Sequence, residues 1–223
     1  MSSAKSAAAD YHRGGWCPIP IQRGSKHPAL EELEPYLSRP ATTEELRSWR
    51  WPGVGIVTGP VSGVLVLDVD DAEGEAVLRK YGHPVTPMAR TPSGGMHLYF
   101  KHPEHHVRTR IKVAPGLDVK ASGGYAVAPP SAGPNGRPYE WIIPPEEAEL
   151  ADPPGGLWAS WSGNRLKGQP RQSKIAYPRE SATTLSPALP DLCVGAVWAK
   201  RKSWPRSESR TNSAVSPLSR RRR

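Results

Sequence analysis

Gly53-Val54-Gly55-Ile56-Val57-Thr58-Gly59-Pro60-Val61-Ser62-Gly63-Val64-Leu65-Val66-Leu67-Asp68-Val69-Asp70-Asp71 decides the fold class of this 223-residue chain. Two apolar, β-branched runs flank a Gly-Pro-Val-Ser-Gly turn, the pattern of two strands joined by a short connection. The second run, Val64 to Asp70, is apolar on both period-two faces, so it is expected at the centre of a sheet and covered on both sides. Immediately downstream, Asp71 is placed to cap a helix over Ala72 to Tyr81, with Glu73 and Glu75 in its first turn and Gly82 ending it. Met88 to Thr91 and Met96 to Lys101 read as a hairpin around Pro92-Ser93-Gly94-Gly95. Val107 to Val113, Leu117 to Lys120, Tyr125 to Ala128 and Tyr139 to Ile143 read as further short strands. Upstream, Trp16 to Ile21 suits a sheet edge, because Pro18 and Pro20 cannot donate to a ladder. Thr42 and Glu45 form a capping-box pattern for a short helix through Trp49. Several strands with few helices, not in strict alternation, predict an α+β fold rather than a doubly wound parallel sheet.

The charge is divided along the chain. Residues 1–150 hold 16 Lys and Arg against 17 Asp and Glu, whereas residues 151–223 hold 14 against 4, so the net +9 belongs to the C-terminal part. That part has only ten Leu, Ile, Val or Phe in 73 residues, eight prolines and a terminal Arg220 to Arg223 run. It cannot bury enough apolar surface to offset chain entropy. The expected division is a flexible N-terminus over 1–10, a folded domain over 11–164 and a basic, mostly disordered tail over 165–223. The tail is either a solvated C-terminus or a nonspecific polyanion-holding arm. No apolar run approaches the roughly 18 residues of a membrane span, and the start MSSAKSAAADYH lacks the apolar core of a secretory signal, so a soluble, cytoplasmic protein is expected. Cys17 and Cys193 are the only cysteines, which excludes a disulfide framework and a four-cysteine zinc module. G-x-x-x-x-G-K-[ST] occurs nowhere, which argues against a P-loop ATPase or helicase in this chain.

Period-two geometry puts Asp68 and Asp70 on one strand face, about 6.6 Å apart. Two such carboxylates either share divalent cations or act as turn formers and caps; Asp71, facing the other way, is the better cap. In Met96 to Lys101 the even positions form an apolar face, which sends His97 to the opposite face with Tyr99 and Lys101. His97 is either structural or, following Ser93-Gly94-Gly95 whose amides can cradle an anion, phosphate-binding. Leu117-Asp118-Val119-Lys120 places Asp118 and Lys120 together, a carboxylate beside a cation that suits a metal-bound triphosphate. Arg108, Arg110 and Lys112 share a face opposite Val107, Thr109, Ile111 and Val113, which is either a nucleic-acid-contacting stripe or a solvated strand face. His102-Pro103-Glu104-His105-His106 does not match H-E-x-x-H, and Pro103 opposes the helix that motif needs, so it reads as an exposed loop.

Taken in order, these pieces resemble the bifunctional DNA primase/polymerase N-terminal (Prim-Pol) domain of the archaeo-eukaryotic primase superfamily, found in phage, plasmid and prophage replication proteins. The carrying segments are GWCPIPI with Lys26 and Pro28, TTEELRSW, GVGIVTGPVSGVLVLDVDD, RTPSGGMHLYF, and GLDVKASGGYAVAPPS followed by YEW, from about Tyr11 to Ile143. The resemblance implies a primase fold with an RRM-like mixed sheet and the site in a cleft between lobes. It implies Asp68, Asp70 and Asp118 as ligands of two Mg²⁺ or Mn²⁺ ions. It implies Gly95 and His97, with Ser93 and Gly94, as the phosphate-contacting segment, and Lys120 as a triphosphate contact. Relatives often carry Ser where Gly95 stands, so a hydroxyl is either missing here or supplied by Ser93.

The expected activity is template-directed nucleotidyl transfer, with single-stranded DNA template, primer and NTP or dNTP as partners and a separate replicative helicase in support. Two rivals stay open: a DNA-binding replication-accessory module that keeps the fold without polymerising, and a metal-dependent nuclease. Longer relatives continue into a helical region or a helicase, and this sequence shows neither.

Overall fold

The computed structural model describes residues 4–155 and Leu157; the expected tail over 165–223 lies outside them. The elements are α1 (Ala4–Arg13), β1 (Cys17–Ile21), a 3₁₀ turn (Glu34–Leu37), α2 (Thr43–Ser48), β2 (Gly53–Val57), β3 (Val64–Val69), α3 (Ala72–Tyr81), β4 (Met88–Arg90), β5 (Met96–Lys101), β6 (Arg110–Ala114), β7 (Leu117–Lys120), β8 (Tyr125–Ala128) and β9 (Glu140–Ile143). They build an α+β fold with a three-stranded sheet, β1-β2-β8, and a six-stranded sheet, β6-β7-β3-β5-β4-β9.

The fully buried β3 lies inside the larger sheet between β7 and β5. Every pair of these strands is antiparallel, not the mixed sheet expected. The reason is the β4–β5 hairpin: after α3 the chain runs out along β4 and returns as β5, and it is β5 that inserts beside β3. Asp71 caps α3 as expected, accepting from the N–H groups of Glu73 at 2.9 Å and Gly74 at 3.0 Å, and Gly82 ends the helix at φ 67°. Thr42 and Glu45 form the full capping box of α2.

The two faces of β3 meet different layers. On one face, a Cβ at Gly74 of α3 would stand 2.2 Å from the Gly116 carbonyl and 3.1 Å from Leu117, so only a glycine lets the helix close on the β6–β7 turn. On the other, Val64, Val66 and Tyr99 share one buried cluster with Val54 and Ile56 of β2 and Ala126 and Ala128 of β8, which sets the smaller sheet against the larger.

Residues 4–10, expected as flexible, are corrected: they belong to α1, which buries Ala7, Ala8 and Tyr11. Tyr11 donates to the Pro129 carbonyl at 2.6 Å and accepts from the Trp141 indole at 3.0 Å. Nearby, Trp16 stacks on Tyr99 with ring centroids 5.5 Å apart and planes 4° from parallel. No helix among the described residues is long and apolar enough to cross a membrane.

Candidate active site

Register assembles the site from three strands. Asp68 of β3 stands opposite His97 of β5 on one side and Asp118 of β7 on the other, so the three form one row across the sheet. The neighbouring row is Tyr99, Val66 and Lys120. Pairing partners share a face, so His97, Asp68, Asp118 and Lys120 project together from the face that meets the smaller sheet. Asp70 continues the period-two series just past the end of β3, where it is exposed and its N–H donates to the Gly116 carbonyl at 2.9 Å.

Within the row, His97 Nε2 lies 3.3 Å from Asp68 Oδ1. Lys120 Nζ stands between the two aspartates, 3.6 Å from Asp68 Oδ2 and 3.2 Å from Asp118 Oδ2. Burial pushes the Asp68 carboxyl up, but His97 and Lys120 outweigh it and hold the group below the ordinary carboxylate value. Asp70 is raised, by partial burial first and then by the neighbouring charges of Asp68 and Asp118. The His97 Nδ1 and the Tyr99 hydroxyl are buried without a hydrogen-bond partner.

A cavity of about 290 Å³ opens over the Asp68 and His97 end of this row, with Asp118 and Asp70 outside its lining. Asp68, His97 and Lys120 line it from the larger sheet, and residues 124–127 line it from around β8. Lys26, Thr109 and Tyr139 complete its wall. Neither spacing nor periodicity marks any of the three as a site residue. Lys26 lies on a loop where periodicity says nothing, and Tyr139 looks like any strand residue until its ring is seen 5.6 Å from that of His97. Burial and then Asp68 push the Tyr139 phenol up to about 12.

Ser93, Gly94 and Gly95 are not among the residues lining that cavity. The Gly94 N–H donates to the Thr91 carbonyl at 2.9 Å, and Ser93 Oγ pairs with Thr91 Oγ1 at 3.0 Å, so both are engaged within the hairpin turn. A Cβ on Gly95 would come within 2.2 Å of the Val69 carbonyl, so the backbone here has no room for a serine.

The basic stripe also needs correction. Arg108, Arg110 and Lys112 are exposed, but they do not share a strand face opposite Ile111. Register with β7 passes from Arg110↔Val119 to Ala114↔Leu117, so residues 111–113 stand opposite Asp118 alone and alternation is lost. Ile111 turns outward, 72% exposed. In the His102 to His106 loop, His102 Nε2 contacts Ser122 Oγ at 3.1 Å, while Glu104, His105 and His106 are exposed.

Among the described residues no group of three His, Cys, Asp or Glu is gathered closely enough to hold a metal ion. The donor chemistry nevertheless suits a divalent cation. Three carboxylates offer the hard oxygens that Mg²⁺ and Mn²⁺ take. In the present arrangement the Lys120 ammonium is the charge that bridges Asp68 and Asp118.

No curated protein matches this chain. The family model described as bifunctional DNA primase/polymerase, N-terminal, matches residues 8–155, which span every strand of both sheets. With the aspartate row, His97 and the surrounding segments in that order, the chain belongs to the Prim-Pol family.

Proposed function

We propose that this protein is a DNA-directed nucleotidyltransferase, a primase or polymerase of a phage, plasmid or prophage type of replication system. The observation that carries the reading is the in-register row His97, Asp68 and Asp118, with Asp70 next on the same face; Asp68 and His97 of that row line a cavity between two sheets. Asp68, Asp70 and Asp118 would hold two Mg²⁺ or Mn²⁺ ions, which when bound supply activation of the attacking 3′-hydroxyl and neutralisation of the triphosphate. Lys120, which lines the cavity, would leave the carboxylates for the triphosphate. His97, pinned to Asp68 through Nε2 and walled by Tyr139, orients the nucleotide phosphates, and Tyr139 with residues 124–127 shapes the space for the nucleotide. Exposed Arg108, Arg110 and Lys112 contact template phosphates at the rim. The catalytic domain ends near residue 164, and the tail over 165–223 adds nonspecific strand affinity.

The test is extension of primed and unprimed single strands with Mg²⁺ or Mn²⁺ and labelled NTP or dNTP. Asp68→Ala and Asp70→Ala are expected to abolish incorporation while the protein still melts cooperatively, because each removes a ligand rather than a packing group. Wild-type extension by either purified variant would refute the assignment.

One observation favours a second reading. The Lys120 bridge between Asp68 and Asp118 already neutralises the pair, as suits an accessory module that binds DNA without polymerising. Strand binding with no incorporation by the wild-type protein in either metal would establish that alternative.

A further inference from the structure

Among the described residues, Lys112 is the only non-glycine residue at positive φ, 52°. That conformation crowds the Cβ of any L-residue and is routine only for glycine. Its location explains what it achieves. Lys112 is the middle of the three β6 residues that stand opposite Asp118 alone, and its N–H donates to Asp118 Oδ1 at 2.7 Å. A regular β6 would pair backbone with backbone here; the bulge spends that donor on a side chain instead. Asp118 is thus held at both oxygens, by the Lys112 amide at Oδ1 and by the Lys120 ammonium at Oδ2. The two holds differ in kind. Lys120 is a flexible stem that can withdraw, whereas the amide is fixed in the backbone.

We propose that the Lys112 backbone amide is a positioning group for Asp118: it keeps the carboxylate aimed along the row while Oδ2 is exchanged from Lys120 to a divalent ion. This rests on the reading of Asp118 as a metal ligand. Hydrogen-bond partners that orient a ligating carboxylate commonly account for ten- to a hundredfold in metal affinity. Toward Asp118 the backbone of Lys112, not its side chain, is the working part. Glycine should therefore replace Lys112 without loss at the metal site, and a β-branched residue, which resists left-handed backbone most strongly, should not.

Mn²⁺ binding to the full-length protein, followed by electron paramagnetic resonance and calorimetry without nucleotide or DNA, tests this. Lys112→Gly is expected to bind Mn²⁺ within about twofold of wild type, and Lys112→Val about tenfold more weakly, each compared at a temperature where its melting curve shows it folded. Amide hydrogen exchange on the wild-type protein gives a reading that needs no variant: the Lys112 N–H, exposed residue though it is, should be protected, and should stay protected on adding Mg²⁺. Wild-type Mn²⁺ affinity in Lys112→Val, equal weakening in Lys112→Gly, or rapid exchange of the Lys112 amide would each overturn the proposal. Asp118→Ala separates the two levels. If it weakens Mn²⁺ binding while Lys112→Val does not, only the positioning role falls; if it leaves binding unchanged, Asp118 is no ligand and the functional reading falls first.

Discussion

The Asp70 carboxyl is raised by burial and by its charged neighbours, whereas that of Asp68, despite greater burial, is lowered by His97 and Lys120. The two contribute to stability with opposite signs. A raised carboxyl binds its proton more readily in the folded state, so the metal-free protein should gain stability as pH falls through the Asp70 value, above 3.8. A lowered carboxyl gives stability that is present above its unfolded value and is lost as pH falls through the folded one, below 3.8, so Asp68 acts later and in the other direction. Asp70→Asn should therefore raise the melting temperature of the chelator-treated protein at neutral pH, by less than about 1 kcal/mol in stability because the residue is exposed, and should remove the first rise on acidification. Thermal melts between pH 3 and pH 7 check both. Gly95→Ser is the second residue-scale case. Its Cβ would stand 2.2 Å from the Val69 carbonyl, so it should destabilise by about 1–3 kcal/mol, as measured by urea unfolding.

At the scale of elements, α1 is the clearest divergence between pattern and structure. Its buried positions are Ala7, Ala8 and Tyr11, and alanines give a weak apolar signal beside Lys5, Ser6 and Asp10. What makes the segment a helix is tertiary: the small side chains let it approach β1 and β2, and Tyr11 ties it to Pro129 and Trp141. Tyr11→Ala should cost about 3 kcal/mol or more, since it removes a buried aromatic ring and leaves Trp141 without its acceptor; the midpoint of denaturant unfolding measures it. By contrast β3, the α3 cap and the β4–β5 hairpin were legible because each rests on local signals: two-faced apolarity, an aspartate before a helix, a Gly-rich turn. The partners of Asp68 were only half legible. Alternation showed that Asp118 and Lys120 share a face, but that β7 lies on one side of β3 and β5 on the other is a fact of pairing between distant segments. The β6 bulge was illegible, since Arg-Ile-Lys-Val alternates well and carries no glycine to mark the positive φ at Lys112.

For the whole molecule, the separation of charge is the feature that composition shows most directly. The first 150 residues carry a slight negative balance and the remainder all of the excess cation. Deleting residues 166–223 should weaken single-strand binding mainly at low salt and flatten the dependence of affinity on salt, because fewer counterions are released. Turnover at saturating template should survive; fluorescence-anisotropy titrations at several salt concentrations, run beside extension assays, check both halves. The smaller sheet carries a different consequence at its rim. Among the described strands β1 pairs only with β2, apart from one isolated bridge between Ile21 and Pro28; the N–H of Cys17 points inward to Ser62 Oγ, and by alternation the nitrogens of Pro18 and Pro20 point outward. The outward carbonyl of Pro20 is already taken by the Ala29 N–H at 2.8 Å. A strand arriving from another copy finds imide nitrogens with no hydrogen to give, so this edge is a poor template for pairing one copy with the next.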